Sequence, residues 1–244
     1  MPDATTLVRQ RCQLWCAIDT GSLDRARALV AAIAPHVDGL KLGMEFFCGA
    51  GIEGARAIGE ATALPLFFDL KLHDIPNTVA GAMRSLRPLA PHYVTLHAAG
   101  GATMIRTVRD MAEENAAATG RPRTRILGVT VLTSMDQDDL NATGVPGRAP
   151  DQVRRLAALA QAAGCDGIVA SAQEIGLIRE TCGPDIDIVT PGVRPAGAAV
   201  GDQKRLMTPR EAAAAGATAV VVGRPITTAK DPAAAAAALA AELR

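Results

Sequence analysis

Short apolar runs alternate with amphipathic or alanine-rich stretches along the 244-residue chain. The apolar runs have the length of buried strands, and the stretches between them have the apolar spacing of helices. The predicted strands cover residues 14–18, 39–42, 64–68, 93–96, 125–132, 167–170, 186–190 and 219–222. The predicted helices cover residues 22–34, 51–60, 77–86, 102–118, 151–163, 172–182, 208–215 and 232–243, with Ser22 and Asp231 as N-caps. The pattern therefore predicts eight consecutive strand–helix units.

Strands that alternate with helices pair in parallel, and eight such units in about 250 residues match the size of a (β/α)₈ TIM barrel. We therefore expect an α/β protein in which residues 1–244 form a single barrel domain. The alternative is a doubly wound open sheet. No Gly-x-Gly-x-x-Gly follows the first strand, and this favours the barrel.

The composition narrows the classes of partner. Hydrophobic residues make up 49% of the chain, and 25 basic and 25 acidic side chains balance to a net charge of +0. A balanced chain gives no indication of a nucleic-acid partner. No apolar run approaches the roughly 20 residues of a membrane span, and residues 1–10 lack the apolar core of a signal peptide. We expect a cytoplasmic protein that binds neither nucleic acid nor membrane.

The potential metal ligands do not form a recognisable pattern. The four histidines lack the spacing of zinc ligands, and the cysteines are odd in number and contain no Cys-x-x-Cys. We interpret the cysteines as small buried or half-buried side chains. They are Cys12, Cys16, Cys48, Cys165 and Cys182. No metal site is expected.

Charged residues follow the third predicted strand directly. Asp69, Lys71 and Asp74 come after the apolar run 64–68. Because residues two apart in a strand share a face, Asp69 and Lys71 are expected to project together. Asn77 is the expected N-cap of the next helix. Burying three charges next to a strand costs free energy unless the charges are paired or take part in binding or catalysis. The stretch is therefore either a surface ion pair or part of a functional site.

Polar groups also follow the other predicted strands. Active sites of TIM barrels lie at the carboxyl ends of the strands, so these groups are expected to meet at one rim. They are Asp19, Lys41, His97, Thr133, Ser134, Arg194, Gly223 and Arg224. Gly223 permits close approach of an anion and Arg224 offers two-pronged pairing, which together favour a phosphate site. The small residues 195–202 form either a mobile surface loop or a segment that closes over a ligand.

The stretch Asp69-x-Lys71-x-x-Asp74-Ile75-x-x-Thr78 resembles the signature of the orotidine 5′-phosphate decarboxylase family. The remaining motifs of that family resemble, in order, Asp19, Lys41, Thr133 and the segments 191–194, 201–203 and 223–226. The resemblance implies a carboxy-lyase that converts orotidine 5′-monophosphate to UMP and CO₂, the last step of UMP biosynthesis. It also implies that the reaction needs no cofactor and no metal.

The resemblance further implies a role for each matching residue. Lys71 is implied to be the proton donor, and Asp69, Asp74 and Lys41 complete a charged array around it. Asp19 and Lys41 are implied to contact the ribose, and Thr133 to lie beside the pyrimidine. Around the phosphate the resemblance places Arg194, Gln203, Gly223 and Arg224. Asp74, Ile75 and Thr78 are implied to reach the active site of a second subunit, so a homodimer is expected.

Two alternatives stay open at this point. Mg²⁺-dependent sugar-phosphate decarboxylases and aldolases of the same barrel superfamily share Asp-x-Lys-x-x-Asp. The presence of Lys41, Thr133 and the Asp-Ile-x-x-Thr extension favours the nucleotide enzyme. The second alternative is a non-catalytic barrel that only binds nucleotide phosphates or a protein partner. The intact set of Asp69, Lys71 and Asp74 argues against it.

Overall fold

The apolar runs form parallel strands that close into an eight-stranded barrel in the computed structural model, which describes residues 11–194 and 207–243. The strands are β1 (Gln13–Ala17), β2 (Gly39–Gly43), β3 (Leu66–Leu72), β4 (Tyr93–His97), β5 (Arg125–Val129), β6 (Gly167–Val169), β7 (Asp187–Pro191) and β8 (Ala219–Val222). They pair in chain order, and β8 closes on β1 with Val221 opposite Trp15. The predicted (β/α)₈ barrel is confirmed, and the open sheet is excluded.

Helices lie between the strands and cover the outside of the barrel. They are α1 (Leu23–Ile33), α2 (Met44–Ala61), α3 (Pro76–Leu86), α4 (Gly101–Thr119), α5 (Gln137–Ala142), α6 (Ala149–Ala162), α7 (Ile175–Cys182), α8 (Pro209–Ala215), α9 (Arg224–Thr227) and α10 (Pro232–Glu242). Ser22 caps α1 and Asp231 caps α10 through their side chains, as predicted. The described helices include none that is long and apolar enough to cross a membrane.

The start of α3 differs from the prediction. Asn77 is not the N-cap, because the helix already begins at Pro76 and Ile75 occupies the cap position without a side-chain bond. Proline suits the first helical position, since its fixed φ matches the helix and its missing N–H needs no partner there. The N-cap therefore lies two residues earlier than the asparagine indicated.

Other boundaries differ where the sequence gives a weak signal. The second helix begins at Met44 rather than residue 51, and Gly51 interrupts it with a φ of 64°. Glycine adopts this left-handed geometry without a Cβ clash, so the two helical segments join across it. The short helices α5 and α9 were not expected, and β5 ends at Val129 rather than residue 132. Residues 130–132 instead belong to the rim.

The interior of the barrel is filled by large side chains near its base. Trp15 packs edge-on against Phe67, with ring centroids 6.0 Å apart, and at a tilt against Tyr93, with ring centroids 5.4 Å apart. The Tyr93 hydroxyl donates to Asp187 at 2.7 Å. A Cβ at Gly39 would lie 2.5 Å from the indole of Trp15, so only glycine fits beside it. A packed base leaves the opposite, carboxyl end of the barrel for a functional site.

Four of the five cysteines are buried, as expected, whereas Cys48 on α2 is exposed. The expectation for Cys48 was therefore wrong, because its apolar neighbours in sequence turn to the other side of the helix. Burial, followed by the charge of Asp19, raises the pKa of Cys16 to about 12. This thiol stays protonated at neutral pH and has the properties of a small core side chain.

Candidate active site

Four charged side chains form a row of alternating sign at the carboxyl end of the barrel. Lys41 of β2 lies between two carboxylates, with its Nζ 3.4 Å from Asp19 Oδ1 and 3.4 Å from Asp69 Oδ2. Lys71 ends the row, with its Nζ 2.8 Å from Asp69 Oδ1. A Cβ at Gly43 would approach Lys41 Nζ to 2.9 Å, so the glycine leaves room for the ammonium. The structure thus brings together four of the predicted site residues.

The centre of this row is withdrawn from solvent. The side chains of Lys41 and Asp69 are 12% and 15% exposed, whereas that of Asp19 is 49% exposed. Burial alone would raise the pKa of Asp69, but Lys41, Lys71 and the hydrogen bonds to the carboxylate outweigh it and lower that pKa. Asp69 is therefore ionised at neutral pH, and its charge is balanced by the two ammonium groups.

A bulge in β3 shapes the site. Before the bulge, Phe68 pairs with Val94 of β4. After it, Leu72 pairs with Leu96. Residues 69–71 of β3 thus face a single residue of β4, and the extra residues are not paired in the ladder. Within this segment, Asp69 meets the side chain of Lys41 on β2.

The backbone of Lys71 adopts an unusual conformation within the bulge. Its φ is 49°, in the left-handed region that non-glycine residues rarely enter. Such a conformation costs about 1–3 kcal/mol and is retained where the surroundings enforce it, often at functional sites. The predicted proximity of Asp69 and Lys71 is confirmed, but it arises from a bulge rather than from regular strand alternation.

Thr95 of β4 supports both charged residues of β3. Its hydroxyl accepts a hydrogen bond from the backbone N–H of Lys71 at 2.9 Å and donates one to Asp69 Oδ1 at 2.9 Å. The side chain is fully buried. Sequence reasoning missed this residue, because a threonine inside an apolar strand is indistinguishable from an ordinary core position. Its polarity, on the strand that follows the charged end of β3, is the one signal that could have identified it.

A cavity of about 170 Å³ opens beside the ammonium of Lys71. Its polar lining comes from Lys41, Asp69, Lys71 and Thr133, so the predicted Thr133 lies at the site. The rest of the lining is apolar and consists of Phe67, Val129, Val131, Leu132, Val169, Ala170, Val189, Pro191 and Val221. A mostly apolar cleft with a few convergent charges suits a flat organic ring that is held by one polar edge.

The residues predicted for a phosphate lie at the ends of β7 and β8. A Cβ at Gly223 would lie 3.5 Å from Asp19 Oδ2, which places this glycine beside the charged row. Arg224 follows it as the first residue of α9 and is exposed. Arg194 follows β7, where its backbone N–H donates to the carbonyl of Met207 at 3.1 Å. The predicted Gln203 lies outside the described residues.

Asp74, Ile75 and Thr78 lie at the start of α3 and just before it. All three are exposed, and Ile75 is 66% exposed, an unusual value for a large apolar side chain. Asp74 Oδ1 accepts a hydrogen bond from the N–H of Ile75 at 2.6 Å. Among the described residues Asp74 forms no ion pair, so a single chain does not bring it to Lys71.

Two histidines border Lys71. The rings of His73 and His97 are 5.3 Å apart. Burial, the neighbouring His73 and the Lys71 ammonium lower the pKa of His97, although Asp69 acts in the opposite direction. The His97 imidazole is therefore uncharged at neutral pH. Within residues 11–194 and 207–243, no group of three His, Cys, Asp or Glu side chains is placed to hold a metal ion.

Comparison with known proteins shows similarity along nearly the whole chain. Residues 13–239 match the model of the Orotidine 5′-phosphate decarboxylase / HUMPS family. Orotidine 5′-phosphate decarboxylase of Rhodospirillum rubrum is 51% identical over 94% of this chain and 93% of its own length. That of Thermobifida fusca is 53% identical over 93% and 94% of the two chains. The crystal structure of orotidine 5′-phosphate decarboxylase from Lactobacillus acidophilus superposes with a TM-score of 0.85 at 35% identity, covering 96% of this chain and 100% of the other.

Proposed function

This chain belongs to the orotidine 5′-phosphate decarboxylase family, and we propose on that premise how its charged row converts orotidine 5′-phosphate to UMP and CO₂. The observation that carries the assignment of residues is the Lys71 ammonium, held 2.8 Å from Asp69 at the edge of an apolar cavity. The pyrimidine occupies the cavity, beside Thr133, and its carboxylate-bearing carbon faces Lys71.

Lys71 is the proton donor in this proposal. When the bond to the carboxylate breaks, CO₂ leaves and the electron pair stays on a ring carbon that has no conjugated sink. The ammonium stabilises this developing charge and transfers a proton to the same carbon, which completes UMP. Solvent then returns a proton to the Lys71 amine. Because Asp69 fixes the ammonium before the reaction, little reorganisation is needed as the charge develops.

Asp69 also places a negative charge near the carboxylate that departs. Two like charges 4 Å apart repel by about 4 kcal/mol at an effective dielectric constant near 20. Enzymes typically lower barriers by about 8–23 kcal/mol, so this repulsion alone is insufficient. The remainder comes from Lys71 and from binding energy at parts of the substrate that do not react.

The ribose and the phosphate provide that remote binding energy. Asp19 and Lys41 form the end of the row and are the proposed ribose contacts, with Lys41 also completing the array around Asp69. The proposed phosphate contacts are Arg194, Gln203, Gly223 and Arg224. Loops after strands seven and eight are the frequent phosphate site of these barrels, which supports the assignment.

We also propose that the protein is a homodimer with shared active sites. Asp74 carries a charge that the row of its own chain does not use, and Ile75 and Thr78 are exposed beside it. Exposed apolar surface that is rimmed by polar residues marks sites of interaction with another chain. In the dimer these three residues complete the partner's site, and Asp74 adds a second carboxylate to the environment of the partner subunit's proton donor.

An absorbance assay tests the proposed reaction directly. The purified chain is mixed with orotidine 5′-phosphate in excess EDTA, and the loss of substrate absorbance is followed together with the appearance of UMP. Turnover that persists in EDTA supports the proposal and excludes the Mg²⁺-dependent alternative. Tight UMP binding without any turnover, in the presence or absence of Mg²⁺, would overturn it in favour of a non-catalytic barrel.

A further inference from the structure

A single buried hydroxyl links the backbone and the side chains at the centre of the site. Thr95 Oγ1 lies 2.9 Å from the backbone nitrogen of Lys71 and 2.9 Å from Asp69 Oδ1. The same Asp69 oxygen accepts the hydrogen bond from Lys71 Nζ at 2.8 Å. Two groups of the bulge, the backbone N–H of Lys71 and the carboxylate of Asp69, therefore converge on one position of β4.

The direction of these hydrogen bonds follows from their partners. A backbone N–H can only donate, so the hydroxyl oxygen accepts from Lys71. An ionised carboxylate can only accept, so the hydroxyl hydrogen points to Asp69. The Thr95 hydroxyl thus accepts one hydrogen bond and donates another at the same time. A replacement that lacks either function leaves a buried polar group of the site without its partner.

The position of Thr95 in the ladder explains why a side chain is needed there. It is the residue of β4 that faces the bulge, between Val94 and Leu96. The N–H of Lys71 finds its acceptor in this hydroxyl, while φ of Lys71 is 49°. Left-handed geometry persists only where the surroundings enforce it, and the hydrogen bond from the Lys71 N–H to the Thr95 hydroxyl is one such constraint.

We propose that Thr95 is a positioning residue for the reaction: its hydroxyl holds the Lys71 backbone and the Asp69 carboxylate in the arrangement that aims the ammonium at the substrate. This inference rests on the proposed function, because it assigns Lys71 as the group to be aimed. Thr95 acts through Lys71 and Asp69, so its loss reduces the chemical step more than it reduces binding. A purely structural threonine would instead lower stability and leave turnover per folded molecule unchanged.

Two substitutions at this position separate the effect of losing the hydroxyl from the effect of changing the size of the side chain. Thr95→Val keeps the shape and removes both hydrogen bonds, whereas Thr95→Ser keeps the hydroxyl and removes a methyl group. Thr190→Val is the matched control. Thr190 is also a fully buried strand threonine, and its hydroxyl has no hydrogen-bond partner among the described residues. The three variants and the wild type are compared by kcat and KM for orotidine 5′-phosphate and by thermal melting.

The expected result is a split between kcat and KM. Since a small misplacement of a reacting group can cost about 100-fold, kcat of Thr95→Val is expected to fall about 10- to 100-fold while KM changes less than about threefold. Thr95→Ser is expected to stay within about threefold of wild-type kcat because it keeps the hydroxyl. Thr190→Val is expected to do the same because the hydroxyl that it removes has no hydrogen-bond partner among the described residues. If the valine variant does not fold, Thr95→Ala removes the same hydroxyl and takes its place.

The proposal is overturned if Thr95→Val keeps wild-type kcat, if only KM changes, or if Thr190→Val loses as much turnover. A serine variant as impaired as the valine variant would also contradict it, because the hydroxyl would then not be the relevant group. Failure of the proposed function has a different result, since the wild-type chain itself would then not turn over orotidine 5′-phosphate.

Discussion

The Lys71 ammonium lies 2.8 Å from Asp69 Oδ1, although β3 bulges between the two residues. The Asp69 carboxylate is only 15% exposed and also faces the ammonium of Lys41, so it holds the proposed proton donor, Lys71, within a row of alternating charges. This arrangement fixes Lys71 before any substrate binds.

Replacement of Lys71 by alanine is expected to remove catalysis while binding remains. Loss of the proton donor should lower kcat by at least about 1,000-fold. Affinity for UMP, measured by calorimetry, should stay close to wild type, because the phosphate and ribose contacts are intact. Lys230→Ala is the control, since this lysine is exposed and outside the site. Substantial turnover by Lys71→Ala would show that another group donates the proton.

Replacement of Arg224 by alanine is expected to lower turnover as well as affinity. Binding energy at a remote phosphate holds the ring in place for the chemical step, so its loss affects kcat and not KM alone. We expect kcat to fall about 10-fold or more and KM to rise, as measured by the absorbance assay. Arg27→Ala, an exposed arginine on α1, should behave as wild type. A change confined to KM would refute the coupling.

Shared active sites predict complementation between two inactive variants. Lys71→Ala and Asp74→Ala are each expected to lose activity as homodimers. When they are mixed and allowed to exchange subunits, each heterodimer contains one site with neither substitution. Random exchange makes half of the dimers heterodimers, so activity should recover to about a quarter of wild type. Recovery that stays at zero, although native mass spectrometry detects heterodimers, would place Asp74 and Lys71 in the same subunit's site.

The amino end of the barrel offers a prediction about stability alone. Asp166 precedes β6 and accepts hydrogen bonds from Arg123 at 2.9 and 2.5 Å and from the N–H of Ile126 at 2.7 Å. Since hydrogen bonds to charged groups contribute about 1.5–3 kcal/mol, Asp166→Asn should lower the free energy of unfolding by that amount at pH 7. Its kcat should be unchanged, because the site lies at the other end.

The pH dependence of that difference has a defined sign. Burial acts to raise the pKa of Asp166, but the hydrogen bonds from Arg123 and Ile126 prevail and lower it. A carboxylate with a lowered folded-state pKa contributes fully above its unfolded pKa of about 4 and loses that contribution as the pH falls through the folded value. Urea unfolding should therefore show wild type and Asp166→Asn converging below about pH 4. A constant difference down to acid pH would contradict the assignment.

Much of this architecture is readable from the sequence, because its signals are local. The alternation of apolar runs and amphipathic stretches gave the barrel, and the strand-end residues Asp19, Lys41, Asp69 and Lys71 met at one rim as expected. Parallel strands bring their carboxyl ends together, so sequence order alone places such residues at the same edge.

The parts that could not be predicted depend on contacts between strands. The bulge in β3 depends on its register with β4. Neither that register nor the φ of Lys71 can be predicted from the residue types in the sequence. Thr95 acquires its role from the same register. The prediction of Asn77 as the N-cap was wrong because the helix already begins at Pro76. The proposed roles of Asp74 and Ile75 depend on contacts with a second chain, which the order of residues in one chain does not specify.

The aromatic floor of Trp15, Phe67 and Tyr93 has a consequence for traffic through the enzyme. Because these rings fill the interior at the base, we expect substrate, CO₂ and UMP to pass through the carboxyl end of the barrel.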